Sequence, residues 1–111
     1  MEQSESLMTQ LAISQLPRVE DRLMAMMWLL ADRWGRVTPA GVRLSLSLSH
    51  ETLGGLIGAR RPTVTLAIQK LTQRNALIRH DHEWLIIGQP AEPVASALQL
   101  VASRSPEDPR R

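Results

Sequence analysis

Residues 50–69, HETLGGLIGARRPTVTLAIQ, decide the fold of this chain. Apolar residues recur there at helical spacing on both sides of Gly58, a natural point for a helix to stop. The residues on the inward side are Leu53, Leu56 and Ile57 before the glycine, and Val64, Ala67, Ile68 and Leu71 after it. Ser49 is a good N-cap for the first helix. We therefore predict one helix over 50–57 and a second over about 61–74.

The connection between these two helices is short and built from small residues. Gly54 allows the helices to cross closely, Gly58 tolerates a left-handed conformation in the turn, and Ala59 is small and apolar. Two short helices joined by a glycine-containing turn of three or four residues form a helix-turn-helix unit.

The segments on either side of this unit have the alternation of β-strands. Residues 42–48 alternate apolar with polar and predict a half-buried strand. Residues 77–80 and 84–87 are short apolar runs joined by 81–83, and predict a β-hairpin. The expected fold is therefore mainly α with a small β wing, a winged helix-turn-helix.

A strong amphipathic pattern over 18–34 predicts a longer helix that stops at Gly35. A second apolar set lies on its other side and consists of Met24, Trp28, Leu29 and Ala31. A helix that is apolar on two sides is usually sandwiched. We therefore expect this one to lie between its own domain and a second chain or a missing segment.

We divide the chain into an N-terminal helical segment at 1–17, the winged domain at 18–88, and a linker and tail at 89–111. The first segment holds a breaker-free run at 6–16, and the last holds a possible short helix at 93–103.

Composition excludes several classes of protein. The 111 residues suit one small domain, and with three Trp and no Phe or Tyr the core must be largely aliphatic. There is no cysteine, which rules out disulfides and thiolate metal ligands. The sequence has no run of about 20 apolar residues and no basic signal region at its start, so we expect a cytoplasmic protein with no membrane partner.

The charges are unevenly placed, although the net charge is only +2. Acidic residues cluster in 2–32, whereas 33–80 contains eight arginines and lysines against the single acid Glu51. Such a local basic surface suits a polyanion.

The outward face of the second helix is the candidate base-reading surface for double-stranded DNA. Its candidate base-contacting residues are Arg61, Pro62, Thr65, Leu66 and Gln69. Arg61 is suited to guanine O6 and N7, Gln69 favours adenine, and Leu66 suits a thymine methyl. The candidate phosphate-contacting residues around this face are Ser49, His50, Arg60, Thr63, Lys70, Arg79, His80 and His82.

The stretch from Leu16 to Ile87 resembles the C-terminal DNA-binding domain of the Crp/Fnr family, that of the cyclic-AMP receptor protein and the fumarate–nitrate regulator. The resemblance is carried by Arg22-Leu23, by 46–53 (LSLSHETL), by 57–64 (IGARRPTV), and by Leu71 with Leu77-Ile78. It implies a bacterial transcription regulator that acts as a homodimer and takes no cofactor. Residues 1–17 then correspond to the end of the dimerisation helix. The sensory cyclic-nucleotide-binding barrel is lacking, so we expect no small-molecule effector site in this chain.

The chain departs from the family pattern in the recognition helix. Arg61 matches the first arginine of the best-known members, but Pro62 replaces their glutamate and Leu66 their second arginine. The resemblance therefore implies DNA binding without implying the usual half-site.

Three other interpretations compete with DNA binding. An enzyme is disfavoured, because the sequence has no nucleophile elbow, phosphate loop or paired-carboxylate motif. A metal site at 80–83 would have two histidines at i and i+2 but too few further ligands. The alternative function is a winged helix used only for protein–protein assembly, and the exposed pair Arg60-Arg61 argues against it.

Overall fold

The computed structural model describes residues 11–103. The helices are α1 (Val19–Trp34), α2 (His50–Ile57), α3 (Arg61–Gln73) and α4 (Val94–Ser103), and the strands are β1 (Gly35–Thr38), β2 (Gly41–Leu44), β3 (Leu77–His80) and β4 (Glu83–Ile86). Residues 11–14 are also helical. The predicted fold class, a winged helix-turn-helix with a small sheet, is confirmed.

The four strands form one antiparallel sheet in the order β1-β2-β4-β3. Leu44 of β2 lies opposite Trp84 of β4, and Leu77 of β3 lies opposite Ile86. All four side chains are buried. Since alternate residues of a strand point to the same face, this face of the sheet completes the core beneath the helices.

The core is mostly aliphatic, as the composition predicts. Leu23 and Met27 of α1 are completely buried, and so are Leu53 of α2 and Leu71 of α3. Trp84 is the one aromatic residue among the buried side chains of the described region. The winged domain therefore has a single core, to which α1, α2, α3 and the sheet all contribute.

Arg22 of α1 fixes the helix-turn-helix unit to the rest of the domain. Its Nε donates a hydrogen bond of 3.0 Å to the carbonyl of Ile57, the last residue of α2. Its Nη1 donates one of 2.8 Å to the carbonyl of Leu16, just before α1. The last carbonyls of a helix have no partner within the helix, so a guanidinium is well suited to bind them.

The strand predicted over 42–48 is wrong in its bounds. Strand β2 covers Gly41–Leu44, and residues 45–49 lie outside the sheet. Leu46 and Leu48 nevertheless pack against the core. An alternation of apolar and polar residues indicates which side chains are buried. It can occur in a segment that has no neighbouring strand.

Strand β1 was not predicted. Gly35 follows α1 directly, but its φ of −84° is not the left-handed conformation expected of a helix stop. The chain instead continues as β1 and pairs with β2 around the turn at 39–40. Gly35 is required for another reason, since a Cβ there would lie 2.5 Å from the carbonyl oxygen of Ala31.

The wing hairpin is present with its second strand shifted by one residue. Strand β4 begins at Glu83, so the turn consists of Asp81 and His82 alone. Asp81 has a φ of 58°, which two-residue hairpin turns require and which aspartate tolerates better than most residues.

Part of the second apolar face of α1 is covered by the chain itself, while Trp28 and Leu29 on this face are only half-buried. Helix α4 of the same chain contacts α1. Val94 of α4 is buried, and Ala97 and Leu98 pack against the core that includes Met24. No second chain is needed to bury Met24, because the chain's own C-terminal helix packs on this side of α1.

The N-terminal segment predicted at 1–17 lies largely outside the described residues, as does the tail beyond residue 103. The helical conformation at 11–14 agrees with the end of the run predicted at 6–16. Within 11–103, no helix has the length and apolarity needed to span a membrane.

Candidate nucleic-acid interface

The crossing of α2 and α3 is close because of two glycines. An added Cβ on Gly54 would lie 2.4 Å from the carbonyl oxygen of Ala59. The backbone N–H of Ala59 in turn donates to the Gly54 carbonyl at 2.9 Å. Gly58 has a φ of 73° and ends α2 in the left-handed conformation. The turn thus sets the angle at which α3 leaves α2, as the residue types predict.

The N-terminus of α2 is capped by Ser49. Its Oγ accepts a hydrogen bond of 3.0 Å from the backbone N–H of Thr52, which confirms the predicted cap. The side chain is exposed. The Ser49 hydroxyl also bonds to Oγ1 of Thr52 at 2.9 Å. A phosphate near this position would therefore meet the N-terminal N–H groups of α2 and would compete with Thr52 for the hydroxyl proton.

Helix α3 is held by one side, as predicted. Val64, Ala67, Ile68 and Leu71 are all buried. The residues that are exposed at its N-terminal end or along its outer side are Arg60, Arg61, Pro62, Thr63, Leu66 and Gln69. Leu66 is 58% exposed and is, with Pro62, one of two apolar residues in this otherwise polar set. The arginine-led end of α3 is therefore free of other protein within the described structure.

Thr65 differs from the other predicted base-contacting residues because it is half-buried and already bonded. Its hydroxyl donates to the carbonyl of Arg61 at 3.1 Å and lies 2.7 Å from Nδ1 of His50. If the Thr65 proton is used on Arg61, His50 donates from Nδ1 and leaves Nε2 as the acceptor. This pair joins the first turns of α2 and α3.

His50 also shows that the wing lies close to the two helix ends. Burial, followed by the positive charges of Arg79 and Arg61, lowers the pKa of His50 below its ordinary value of 6.5. Arg79 belongs to β3 and Arg61 opens α3. The N-termini of α2 and α3 and the wing therefore form one positively charged surface. We call this surface, which contains His50, Arg60, Arg61 and Arg79, the basic face.

The pKa shift of His50 gives a prediction about stability. In the unfolded chain the imidazole binds a proton near pH 6.5, whereas in the folded chain it does so only at lower pH. The unfolding free energy should therefore decrease as pH falls below about 6.5, until the folded pKa is passed. His50→Gln keeps an N–H donor for Thr65 and removes the titration. Urea unfolding between pH 7.5 and 5 should give a steeper loss for the wild type, and parallel profiles would contradict the assignment.

The three predicted phosphate-contacting residues of the wing, Arg79, His80 and His82, differ in how firmly their side chains are held. The Arg79 guanidinium stacks on the buried ring of Trp84, 5.1 Å from its centre. His80 is exposed, and its Nδ1 lies 3.7 Å from a carboxylate oxygen of Asp81. His82 is exposed in the turn. Of the three, Arg79 has its orientation fixed by a buried aromatic ring.

Lys70 lies on the side of α3 that faces α1. Its Nζ is 3.9 Å from a carboxylate oxygen of Glu20, and its side chain is 62% exposed. A phosphate would therefore have to share Lys70 with that carboxylate.

The metal site considered at 80–83 finds no support in the described part of the chain. Residues 11–103 contain no group of three or more His, Asp or Glu side chains placed to hold an ion. Glu83 instead accepts from Arg43 at 3.1 Å and from Ser45 at 3.1 Å.

Two contributors to this surface were missed by the sequence analysis. The contact between His50 and Thr65 joins residues that are 15 positions apart in the sequence. The hydrogen bond from Arg22 to the carbonyl of Ile57 joins residues that are 35 positions apart. Periodicity reports which side of a helix is buried, and it carries no signal for which polar side chains meet across two helices.

A family model described as the Crp-like helix-turn-helix domain matches residues 21–92. The chain belongs to this family. The match includes all but the first two residues of α1, the helix-turn-helix unit and the wing. The Crp-like family and its fold are those of transcription regulators and not of enzymes.

Solved structures of Crp-like regulators share the fold at low sequence identity. A CRP-family transcriptional regulator from Thermus thermophilus matches with a TM-score of 0.67 and 15% identity over 91% of this chain and 49% of its own. A CRP/FNR-family regulator of the same organism gives 0.60 and 18% over 86% and 46%. A mutant of CooA from Carboxydothermus hydrogenoformans gives 0.65 and 21% over 88% and 41%. The chain spans less than half the length of these regulators, and no curated protein matches it.

Proposed function

We propose that this chain is the DNA-binding part of a bacterial transcription regulator, binding double-stranded DNA in a sequence-specific way as a homodimer. Helix α3 enters the major groove, and Arg61, Pro62, Thr65, Leu66 and Gln69 contact base edges. Because the bacterial chromosome lies in the cytoplasm, the proposal places the protein there. The observation that carries the proposal is α3 itself, buried along Val64, Ala67, Ile68 and Leu71 while its arginine-led end is exposed.

The proposed roles divide between base and phosphate contacts. Arg61 reads a guanine through O6 and N7, and Leu66 contacts a thymine methyl. Thr65 holds His50 and the first turn of α3 in place and contacts a base edge from that position. The phosphate contacts are assigned to Ser49, His50, Arg60, Thr63, Lys70, Arg79, His80 and His82, which surround the basic face.

The alternative is a winged helix that serves only protein–protein assembly, for which the second apolar face of α1 would be suited. Helix α4 packs on α1 and reduces this face, on which Trp28 and Leu29 remain half-buried. An assembly module would also have no use for the exposed pair Arg60-Arg61 beside a third arginine, Arg79. The basic face favours a polyanionic partner.

Salt titration tests the proposal directly. Binding of a labelled duplex should weaken with salt along a straight line in a log–log plot, because each neutralised phosphate releases its counterion. With Arg60, Lys70 and Arg79 as the main cations that contact phosphates, we expect a slope of about −3 per bound domain. Fluorescence anisotropy between about 25 and 200 mM salt is the measurement. An absence of binding at the lowest salt would contradict the proposal.

Arg61→Ala tests the base contact. The change should weaken binding to the preferred duplex by about 1–3 kcal/mol, or roughly fivefold to 150-fold, and relax the preference at one base pair. Arg33→Ala is the matched control, since it removes an exposed arginine from the end of α1. Selection from a random duplex library with each variant shows the altered position. A loss that is equal on all sequences would make Arg61 a phosphate contact.

A further inference from the structure

The imidazole of His50, at the start of α2, is joined to α3 through one of its two nitrogens. Nδ1 lies 2.7 Å from Oγ1 of Thr65. The carbonyl of Arg61 can only accept a hydrogen bond, so the 3.1 Å contact from Thr65 Oγ1 to that carbonyl uses the single hydroxyl proton. Towards His50 the hydroxyl is therefore an acceptor. Nδ1 carries the proton of a neutral His50, and the lone pair is on Nε2.

The second nitrogen of His50 is accessible to a ligand. Within residues 11–103, Nε2 has no hydrogen-bond partner, and it is not one of the buried side-chain atoms that lack one. The two nitrogens of an imidazole point in different directions, so Nε2 points away from Thr65 when Nδ1 points towards it. Nε2 is therefore the atom of His50 that a phosphate on the basic face can reach.

A neutral His50 is poorly suited to that phosphate. A phosphate oxygen accepts hydrogen bonds, and an unprotonated Nε2 is also an acceptor. Once Nε2 binds a proton, the ring donates at both nitrogens, from Nδ1 to Thr65 and from Nε2 to the phosphate. The contact with Thr65 needs no rearrangement, because it uses the same Nδ1–H in both protonation states. The charged ring also makes the stronger hydrogen bond to an anion.

The surroundings of His50 oppose this second proton while no DNA is bound. Burial lowers the pKa of His50 below 6.5, and the positive charges of Arg79 on β3 and Arg61 on α3 lower the pKa further. Its neighbour on α2 is the exposed Glu51, and α1, which also packs on α2, contributes no charge that acts on His50 within the described residues. A phosphate beside the ring adds a negative charge and offsets the arginines, so the pKa rises in the complex.

We propose that DNA binding by this domain takes up one proton at His50, which then bridges Thr65 of α3 and a backbone phosphate. The proposal rests on the proposed function and adds that DNA binding strengthens as the pH falls. Above the pKa of the complex and below the pKa of the free domain, the affinity is constant. Between these two values the affinity should rise by up to about tenfold for each unit by which the pH is lowered.

The chain allows His50 to be studied as its only histidine. The sequence contains three histidines, and the other two, His80 and His82, lie in the wing. Replacing both with glutamine removes two proposed phosphate contacts, which lowers the affinity at every pH and leaves His50 as the one titrating imidazole. The anisotropy of a short labelled duplex of mixed sequence at low, constant salt gives the affinity. The NMR signal of the imidazole C–H gives the pKa of His50 with and without DNA, and circular dichroism checks folding at each pH.

In this background, binding should be at least about tenfold tighter at pH 5.5 than at pH 8, and DNA should raise the pKa of His50. A further His50→Gln change keeps an N–H donor for Thr65 and removes the titrating group, so its affinity should not depend on pH. An equal pH dependence in His50→Gln, or a pKa of His50 that DNA does not raise, would overturn the inference and leave the proposed function intact. An absence of duplex binding at every pH would overturn both.

A pair of variants at Thr65 tests its part in the bridge. Thr65→Ser keeps the hydroxyl and should keep the pH dependence. Thr65→Val removes the acceptor for Nδ1–H, so a neutral His50 can place its proton on Nε2 and donate to the phosphate without binding a second proton. The pH dependence of binding should therefore be smaller for valine than for serine. The same pH dependence in both variants would refute the role of Thr65 in fixing the protonation of His50.

Discussion

Replacing Gly54 with alanine is expected to lower the free energy of unfolding by about 3 kcal/mol. The new methyl group would lie 2.4 Å from the carbonyl oxygen of Ala59, so backbone would have to move. Movement there also strains the hydrogen bond from the Ala59 N–H to the Gly54 carbonyl. Since this contact sets the direction of α3, DNA binding should fall beyond what the fraction of unfolded protein explains. Urea unfolding and anisotropy on the same preparation measure the two effects.

Gly55→Ala is the matched control for this prediction. Gly55 is the next residue of the same helix, it is exposed, and a Cβ there would have no neighbour within 4 Å. Alanine in an unobstructed helical position stabilises by about 0.5–1 kcal/mol relative to glycine. The two substitutions should therefore act in opposite directions. Equal stability of the two variants would mean that α2 and α3 cross less closely than the Gly54–Ala59 contact requires.

Trp84→Ala is expected to have the largest effect on stability, about 3–5 kcal/mol. The ring is 1% exposed, so its removal leaves a cavity between the sheet and the helices. It also removes the surface on which Arg79 stacks, and the wing arginine should lose its fixed orientation beside His50. Thermal unfolding should show the loss, and binding measured at a temperature where the variant remains folded should show a smaller salt slope.

Trp34→Ala provides the comparison. Trp34 also carries an arginine over its ring, with Arg33 at 5.6 Å, but it is 56% exposed. Its removal should change the unfolding free energy by no more than about 0.5 kcal/mol. The pair of variants separates the contribution of burial from that of the arginine–ring contact. Similar losses for both would show that burial of Trp84 contributes far less than its accessibility indicates.

Much of the candidate site could be predicted because its signals are local. The bounds of α2, the Ser49 cap, the left-handed Gly58 and the buried side of α3 each depend on residues within a few positions of one another. Backbone geometry and helical period relate such residues directly. The outward position of Arg61 follows from the inward position of Val64 and Ile68 on the same helix.

Most of the features that the sequence did not predict are contacts between segments that are distant in sequence. Strand β1 is the exception, because its partner β2 follows after a turn of only two residues. It was missed because glycine at position 35 is the residue type expected at a helix stop. The second apolar side of α1 indicates that another element packs against Met24. The apolar pattern is the same whether that element is α4 or a second chain. Thr65 was assigned to the outer face by its angle on the helix, and only the packing of α2 shows that His50 holds it.

The sequence by itself determined the two short helices, the turn between them and the side on which α3 is buried, because side-chain periodicity and turn chemistry act over one or two helical turns. The tertiary structure alone decided that the charges of both Arg79 and Arg61 act on His50, and that α4 packs on α1. Those arrangements depend on how separate elements pack, and packing joins residues whose spacing along the chain carries no periodic signal.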